Sequence, residues 1–290
     1  MRKINNIINI IKAILNRKKF FYCELKFREF NIKIWDKPGQ WLDKNSLEQI
    51  IEDVQAIANT QETLDYGILK NGEEDINDRL ITIAYDKNSN SPIGFAAQIY
   101  LNVFNGAKCF EVLHLGLVFI AKSFRKKSLL GLLYVLPNVL LLLKRKFRPI
   151  WISNVSQVPC VIGVVAQHYK NVYPNPIKYS KQTNVHRLLF KAIMKNHRKV
   201  FGTGEDATID LKKQIILNSY TGGSDNLKKS FNDCAKYRIK KVNEFCNNNL
   251  DYNRGDDFMQ IGILSVRLFY KYFIQKFSNS MSHILTNVTH

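Results

Sequence analysis

The sequence predicts an α/β fold in which a mixed, mostly antiparallel sheet is flanked by helices. Three observations support this prediction. Strand-like segments follow one another through tight turns between residues 79 and 120, which is typical of an antiparallel meander. A long apolar segment comes next and predicts a buried helix. A further strand-like segment follows it, and a helix that joins two strands favours a parallel crossover within the same sheet.

Each element rests on a local pattern. Alternation of polar and apolar residues predicts a strand over 20–35, and Pro38-Gly39 indicates the turn that ends it. Asn45 or Ser46 provides an N-cap for a helix over 45–58. Asn105-Gly106 favours a tight hairpin between two strands. The other predicted strands are 79–85, 93–104, 109–120, 149–154 and 211–217, and the other predicted helices are 124–146, 158–170, 185–200 and 259–277.

The length and composition are those of a folded protein. The chain has 290 residues, of which 46% are hydrophobic and 23% are charged, so it contains enough apolar surface for a sizeable core. Three parts are expected from the pattern of elements. A basic amphipathic helix covers 1–19, the α/β domain covers 20–182, and a mainly helical extension covers 183–290.

The cysteines indicate reduced thiols. Their number is odd, no two form a Cys-x-x-Cys pair, and they lie in apolar settings, which favours a cytoplasmic protein. The six histidines show no ligand spacing with them, so no metal site is expected. Cys160 has no adjacent base and is not expected to act as a nucleophile. The five cysteines are Cys23, Cys109, Cys160, Cys234 and Cys246.

The first helix has three alternative interpretations. Isoleucines recur at helical spacing between Ile4 and Ile14, basic residues lie at both ends, and asparagines interrupt the pattern. The helix either packs on the core of the protein, lies on an anionic membrane surface, or belongs to a targeting segment. Residues 129–143 are more apolar still, but this segment is shorter than the roughly 20 residues of a membrane span. We therefore expect no span, and at most a peripheral position at the inner face of a membrane.

The charge is distributed unevenly. The chain carries a net charge of +19, and residues 87–182 contain 13 Lys and Arg but a single acidic residue, Glu111. Such a segment attracts anions. A nucleotide phosphate, an acidic carrier protein, an anionic lipid and RNA all fit this requirement. Nucleic acid is the least favoured of them, because no recognised RNA- or DNA-binding motif accompanies the charge.

The order of elements between residues 79 and 176 resembles that of the GNAT (GCN5-related N-acetyltransferase-like) superfamily. In that family a strand ends in a glycine-rich loop whose backbone N–H groups cradle the phosphates of coenzyme A or of phosphopantetheine. The corresponding loop here has Ser128 and Leu130 where the family has small residues. The resemblance therefore implies a donor held by Arg125, Lys126, Lys127, Ser128 and Leu129, with Asn154 on the pantetheine amide. It implies no tightly bound cofactor.

Catalytic residues follow from the same resemblance. Acyl transfer to an amine requires a base, an oxyanion donor and an acid for the leaving thiol. Glu111 or His114 is the candidate base, although a regular strand directs them to opposite faces and only a bulge brings them to one pocket. The backbone N–H groups of Leu117, Val118 and Phe119 are the expected oxyanion contacts. Tyr169 is the expected thiol acid, followed by Tyr173.

These observations predict an N-acyltransferase that uses acyl-phosphopantetheine on an acidic acyl carrier protein, or acyl-coenzyme A. A small molecule or a peptide supplies the amine. Phe95, Phe104 and Phe119 are expected to line an acyl tunnel. The main alternative is a non-catalytic GNAT-like module that binds an anionic membrane or an acidic partner, and a nucleic-acid-binding protein is a further one. Leu130 stands where the family has a small residue, so it hinders close approach of the donor phosphates to the loop backbone. This favours the carrier-bound donor, because its pantetheine arm carries a single phosphate.

Overall fold

A computed structural model describes residues 2–16, 19–59, 76–125, 129–221 and 227–266. Its centre is a ten-stranded sheet in the order β1-β2-β3-β4-β5-β6-β10-β9-β8, and β7 also pairs with β10. The strands are β1 Tyr22–Lys26, β2 Phe30–Asp36, β3 Arg79–Asp86, β4 Pro92–Asn105, β5 Lys108–Ile120, β6 Ile150–Ser156, β7 Lys170–Tyr173, β8 Thr208–Asp210, β9 Ile215–Leu217 and β10 Asp257–Leu264.

Six helices lie along this sheet in the described part of the chain. The third is apolar on all sides and buried nearly throughout, as expected of a helix enclosed in a core. It packs on one face of the sheet, whereas the second and fifth helices pack on the other. Their bounds are α1 Arg2–Leu15, α2 Lys44–Asn59, α3 Leu129–Lys144, α4 Pro159–His168, α5 Asn184–His197 and α6 Lys240–Asn249.

The predicted fold class is confirmed. Strands β1 to β5 pair antiparallel in sequence order, and β5 and β6 are parallel. Helix α3 makes the crossover between them. The predicted 124–146 helix therefore exists, and it begins at Leu129 within the described residues. Lys126, Lys127 and Ser128 lie outside these residues.

The predictions for individual elements differ from the structure at several places. Segment 20–35 forms a hairpin of β1 and β2, not one strand. Of segment 211–217, only Ile215–Leu217 is a strand, because residues 211–214 form the turn from β8 to β9. Lys170–Tyr173 forms a short strand after α4. A helix at Lys240–Asn249 also exists that the sequence analysis did not predict.

The helix predicted over 259–277 is wrong for its first part, because Asp257–Leu264 is strand β10 and the residues beyond 266 lie outside the described ones. This strand inserts between β6 and β9. Met259 and Ile261 pack on one face of the sheet, and Phe258 and Leu264 pack on the other. A strand buried on both faces is apolar without alternation, so periodicity does not separate it from a buried helix. The last third of the chain thus completes the central sheet.

The parallel pair β5–β6 is short. Val112, Leu113 and His114 align with Trp151, Ile152 and Ser153. Beyond this point β5 pairs only with β4, and β6 continues along β10. The two strands therefore part after His114 and Ser153, as the sequence predicted for the segment near Leu115, and a cleft opens between them.

Candidate functional site

The cleft between β5 and β6 encloses about 180 Å³. Its floor is the point where the two strands part. Its walls come from distant parts of the chain, including the segments that follow α5 and β9. The polar or charged side chains among the lining residues are Arg79, His114, Tyr134, Asn154, Ser156, Gln157, Tyr220, Lys229 and Asp257.

A bulge in β5 shapes one wall. The register with β4 runs from Ala97↔Leu117 to Ile99↔His114, so Leu115 and Gly116 together oppose a single residue. Gly116 has φ of 54°, and a Cβ atom there would lie 2.1 Å from the carbonyl oxygen of Ala97. Only glycine fits this position without strain. The bulge also shifts the alternation of the strand, and Leu117 consequently faces the same side of the sheet as His114.

The bulge leaves backbone groups without a neighbouring strand. Ala121 N donates to Ile93 O at 2.9 Å. Hydrogen-bonded pairs alternate along an antiparallel ladder, so Phe119 and Leu117 also bond toward β4, and the N–H of Val118 points to the open edge. Of the three predicted oxyanion contacts, Leu117, Val118 and Phe119 all line the cleft, but this alternation directs only the amide of Val118 toward it.

His114 closes the cleft at its deepest point. The side chain is 2% exposed, its Nδ1 lies 3.0 Å from Ser153 Oγ, and its ring stacks on Phe201. Burial lowers the pKa of His114 to about 3, and the positive charges of Arg79 and His197 add to this effect. The imidazole is therefore neutral at neutral pH, and it is a weak base.

Asp257 is an acidic group that the sequence analysis missed. It is the first residue of β10, it lines the cleft, and it is 2% exposed. Burial raises the pKa of this carboxyl group to about 7, although hydrogen bonds from Ser219 and Tyr220 oppose the rise. Tyr220 Oη donates to Asp257 Oδ1 at 3.1 Å. A carboxyl group with a pKa near neutral is suited to take up a proton during catalysis.

Two further groups place polar atoms along the cleft. Tyr134, from α3, donates its hydroxyl proton to the carbonyl oxygen of Gly116 at 3.0 Å. It was also not predicted from the sequence. Asn154, the residue expected to contact the pantetheine amide, lines the cleft, and its Nδ2 donates to Gln260 Oε1 at 3.3 Å. Gln260 in turn donates to the carbonyl oxygens of Ile162 and Pro174, which holds the carboxamide of Asn154 in one orientation.

Several predicted site residues do not line the cleft. Glu111 forms an ion pair with Arg145 and lies on the sheet face opposite to His114, because the bulge comes after both residues. Tyr169 packs in the core under α3, where its hydroxyl accepts a hydrogen bond from Asn138 at 2.6 Å. Burial raises the pKa of Tyr169 above its usual value. Tyr173 donates to the carbonyl oxygen of Lys212.

The predicted phosphate loop is described only at its ends. Arg125 is exposed and its Nε donates to the carbonyl oxygen of Ile120 at 3.2 Å. Leu129 begins α3 with its side chain in the core. Of the predicted acyl tunnel, Phe95 is buried and stacks on Phe119 with ring centroids 5.5 Å apart, but Phe104 is 59% exposed. Phe104 therefore does not line an interior tunnel.

Within the ranges described above, no three His, Cys, Asp or Glu side chains lie close enough together to hold a metal ion. Across those same ranges, no helix combines the length and the apolar character that a membrane span requires.

No protein-family model matches the sequence, and no curated protein sequence matches it either. The chain is similar to the solved structure of the aminoglycoside N-acetyltransferase AAC(6')-Iy in complex with coenzyme A, with 18% identity and a TM-score of 0.29 over 39% of this chain and 70% of that one. It is also similar to an acetyltransferase from Vibrio fischeri, with 16% identity and a TM-score of 0.24 over 37% of this chain and 83% of the other.

A third similar structure is the GCN5-related glucosamine N-acetyltransferase region of a fungal multi-domain β-N-acetylglucosaminidase. The identity is 16% and the TM-score is 0.27, over 42% of this chain and 13% of that chain. All three proteins are described as acetyltransferases, and the third is described as GCN5-related.

Proposed function

We propose that this protein is a GNAT-type acyltransferase that moves an acyl group from a thioester donor to an amine. One observation carries the proposal. The cleft where β5 and β6 part is lined by Val118, whose backbone N–H the alternation of the ladder directs toward the open edge of β5, and by a buried carboxyl group, Asp257, whose pKa is raised to about 7. These are an oxyanion donor and a proton acceptor, two of the three groups that acyl transfer to an amine requires.

The chemistry follows from these positions. The amine attacks the thioester carbonyl carbon, and its proton passes to the carboxylate of Asp257. The carbonyl oxygen becomes an oxyanion that accepts a hydrogen bond from the N–H of Val118. The carbon–sulfur bond then breaks, and the thiolate takes the proton of the Tyr134 hydroxyl, which lies beside the bulge at Gly116. Asp257 then loses its proton to solvent and the phenolate of Tyr134 takes one up from solvent, which restores both groups for the next turnover.

This assignment changes two of the roles predicted from the sequence. Asp257 takes the role of base in place of Glu111, whose carboxylate is engaged by Arg145 outside the cleft. Tyr134 takes the role of thiol acid in place of Tyr169. His114 stays in the site as a neutral hydrogen-bonding group at the floor, because a base with a pKa of about 3 is too weak to accept the amine proton at neutral pH.

The donor is the finer part of the proposal. We propose that a pantetheine arm in the cleft passes the oriented carboxamide of Asn154, and that its phosphate binds the basic loop that begins at Arg125. Lys126 and Lys127 of this loop lie outside the described residues. We propose acyl-phosphopantetheine on an acidic carrier protein as the donor, with acyl-coenzyme A as the alternative. The argument is charge, because residues 87–182 contain 13 basic residues and one acidic residue, and an acidic carrier complements such a surface.

The experiment offers acyl-carrier-protein and acyl-coenzyme A donors of several chain lengths, together with a pool of amino acids, amines and peptides. Release of free thiol and a mass increase in an acceptor support the proposal. If no donor releases thiol above the rate of Asp257→Asn, the acyltransferase proposal is wrong. The alternative, a non-catalytic module, then accounts for the protein.

A charge-matched pair of variants tests the donor site. In one, Arg125, Lys126 and Lys127 are replaced by Ala. In the control, the exposed Lys212, Lys213 and Lys241 are replaced by Ala, which removes the same charge. We expect the first variant to bind the donor at least about tenfold more weakly, with a steep dependence on salt, while the control binds as the wild type does. Equal donor binding by both variants would contradict the assignment of the phosphate loop.

A further inference from the structure

The N-terminal helix is attached to the fold through its polar side. Asn6 Nδ2 donates to the carbonyl oxygen of Lys26 at 2.9 Å, and Lys26 N donates to Asn6 Oδ1 at 2.8 Å. Asn9 Nδ2 donates to the carbonyl oxygen of Glu24 at 2.7 Å. Both partners belong to β1, the edge strand of the sheet. The asparagines thus satisfy backbone groups that an edge strand leaves unpaired.

This attachment determines which side of α1 faces outward. Ala13 is buried and Ile10 is partly buried against the core, on the same side as the two asparagines. Residues at i, i+4 and i+8 share a helix face, so Ile7, Ile8 and Ile11 lie on the opposite side. The outward stripe, named here the α1 stripe, consists of Ile7, Ile8, Ile11 and Leu15, which are 51%, 41%, 48% and 73% exposed.

The sequence before Glu24 carries charge of one sign. The first acidic residue of the chain is Glu24, and all six charged residues before it are basic. Lys12 and Lys19 line a groove of about 310 Å³ beside the helix, together with Tyr22 and Trp41. These two aromatic residues are 40% and 39% exposed. The six basic residues are Arg2, Lys3, Lys12, Arg17, Lys18 and Lys19.

We propose that α1 docks this protein on a lipid surface rich in anionic headgroups, with the α1 stripe inserted among the acyl chains. An apolar stripe, a basic flank and exposed aromatic residues together match the interface of an anionic bilayer. A helix of 14 residues is about 21 Å long, so it lies in the plane of the surface. The charge favours anionic lipid as the partner of the α1 stripe, because the described cations Lys12 and Lys19 lie beside this helix.

This inference is independent of the proposed acyl transfer. It requires only that α1 stays attached to β1, which orients the fold with its edge strand beside the lipid. The core does not depend on the α1 stripe, since its four side chains are exposed. Charges introduced there therefore test binding without removing core packing.

The experiment measures flotation of the full chain with two kinds of vesicle. One is made of phosphatidylcholine alone, and the other of phosphatidylcholine with about 30% phosphatidylglycerol. The test variant is Ile7→Glu with Ile11→Glu. The control is Phe104→Glu with Tyr179→Glu, which adds the same charge at two exposed apolar residues elsewhere; these are 59% and 95% exposed. We expect the wild type and the control to bind the anionic vesicles, and the test variant to bind at least about tenfold more weakly.

A fluorescent probe separates lipid from other occupants. An environment-sensitive dye is attached to Ile11→Cys in a Cys109→Ser background, since Cys109 is exposed. We expect the emission of a water-exposed dye without vesicles, and a shift to shorter wavelength with the anionic vesicles. A shifted emission without vesicles would mean that another part of this chain or a second copy covers the α1 stripe. Either that result, or equal flotation of the test variant and the wild type, overturns the proposal.

Discussion

His114 and Ser153 are the last aligned pair of the parallel strands β5 and β6, and their side chains are joined by a hydrogen bond, with His114 Nδ1 3.0 Å from Ser153 Oγ. The contact closes the sheet at the point where the strands part. Both side chains are buried. A buried hydrogen bond at this position holds the two strands together at the floor of the cleft. The residues with proposed catalytic roles line the cleft above this point.

The first prediction concerns Asp257→Asn. Asparagine retains the size of the carboxyl group and still accepts the hydrogen bond from Tyr220, but it cannot take up the amine proton. We expect turnover to fall by roughly 10²–10⁴ with donor binding retained. In the wild type, activity should rise with pH through about 7 as the carboxyl group loses its proton, and this rise should be absent from the variant. A variant that keeps the rise would show that another group is the base.

The stability of the same variant provides a control. The folded protein holds the proton of Asp257 more tightly than the unfolded chain, because the pKa is raised from 3.8 to about 7. The wild type therefore loses stability as the pH rises between these values, and the loss is complete above the higher one. Urea unfolding at pH 5 and pH 8 should show this decrease in the wild type and a smaller decrease in Asp257→Asn. An inactive variant of normal stability cannot be explained by misfolding.

The second prediction concerns His114→Gln. The pKa of about 3 places the titration of His114 far below neutral pH, so this residue contributes no step to the pH profile between 5 and 9. We expect the variant to be less active, because the floor of the cleft is disturbed, and to retain the rise in activity near pH 7. Kinetic measurements across this pH range check the prediction. Loss of the rise in His114→Gln, with the rise kept in Asp257→Asn, would make His114 the base.

The third prediction compares two tyrosines. Tyr134→Phe removes the hydroxyl group that contacts Gly116 O in the cleft, whereas Tyr169→Phe removes one that contacts Asn138 in the core. We expect Tyr134→Phe to lower turnover with poor leaving thiols, and Tyr169→Phe to lower stability by about 1 kcal/mol with little change in turnover. Steady-state rates and thermal unfolding distinguish them. The reverse pattern would return the role of thiol acid to Tyr169.

The fourth prediction concerns two glycines. In Gly116→Ala the new Cβ atom would lie 2.1 Å from Ala97 O at a φ of 54°, so the bulge must rearrange. We expect loss of donor binding and lower stability. Gly131→Ala is the matched control, because a Cβ atom there meets nothing within 4 Å and the residue lies in α3. It should stabilise the protein by up to about 1 kcal/mol. Equal donor binding by both variants would show that the bulge at Gly116 is not needed for donor binding.

The sequence predicted much of the fold because most elements have a clear local signal. Turns such as Asn105-Gly106 and the apolar segment before Lys144 are visible in a short window of residues. Asp257 was missed for the opposite reason. Its strand is buried on both faces, which gives a continuous apolar pattern that was interpreted as a helix. The sequence therefore offers Glu111 as a candidate base, because it is the single acidic residue between residues 87 and 182.

The sequence by itself determined the class of fold, the meander of β3 to β5, the helix that follows it and the amphipathic character of α1. Local patterns of polarity and turn residues suffice for these features. The tertiary structure decided which residues share the cleft, because Asp257 and His114 are far apart in the chain and line the same cleft only when β10 pairs beside β6. It also decided that α1 turns its asparagines inward. The unpaired backbone groups of β1 require hydrogen-bonding partners, and that requirement exists only once the sheet has formed its edge.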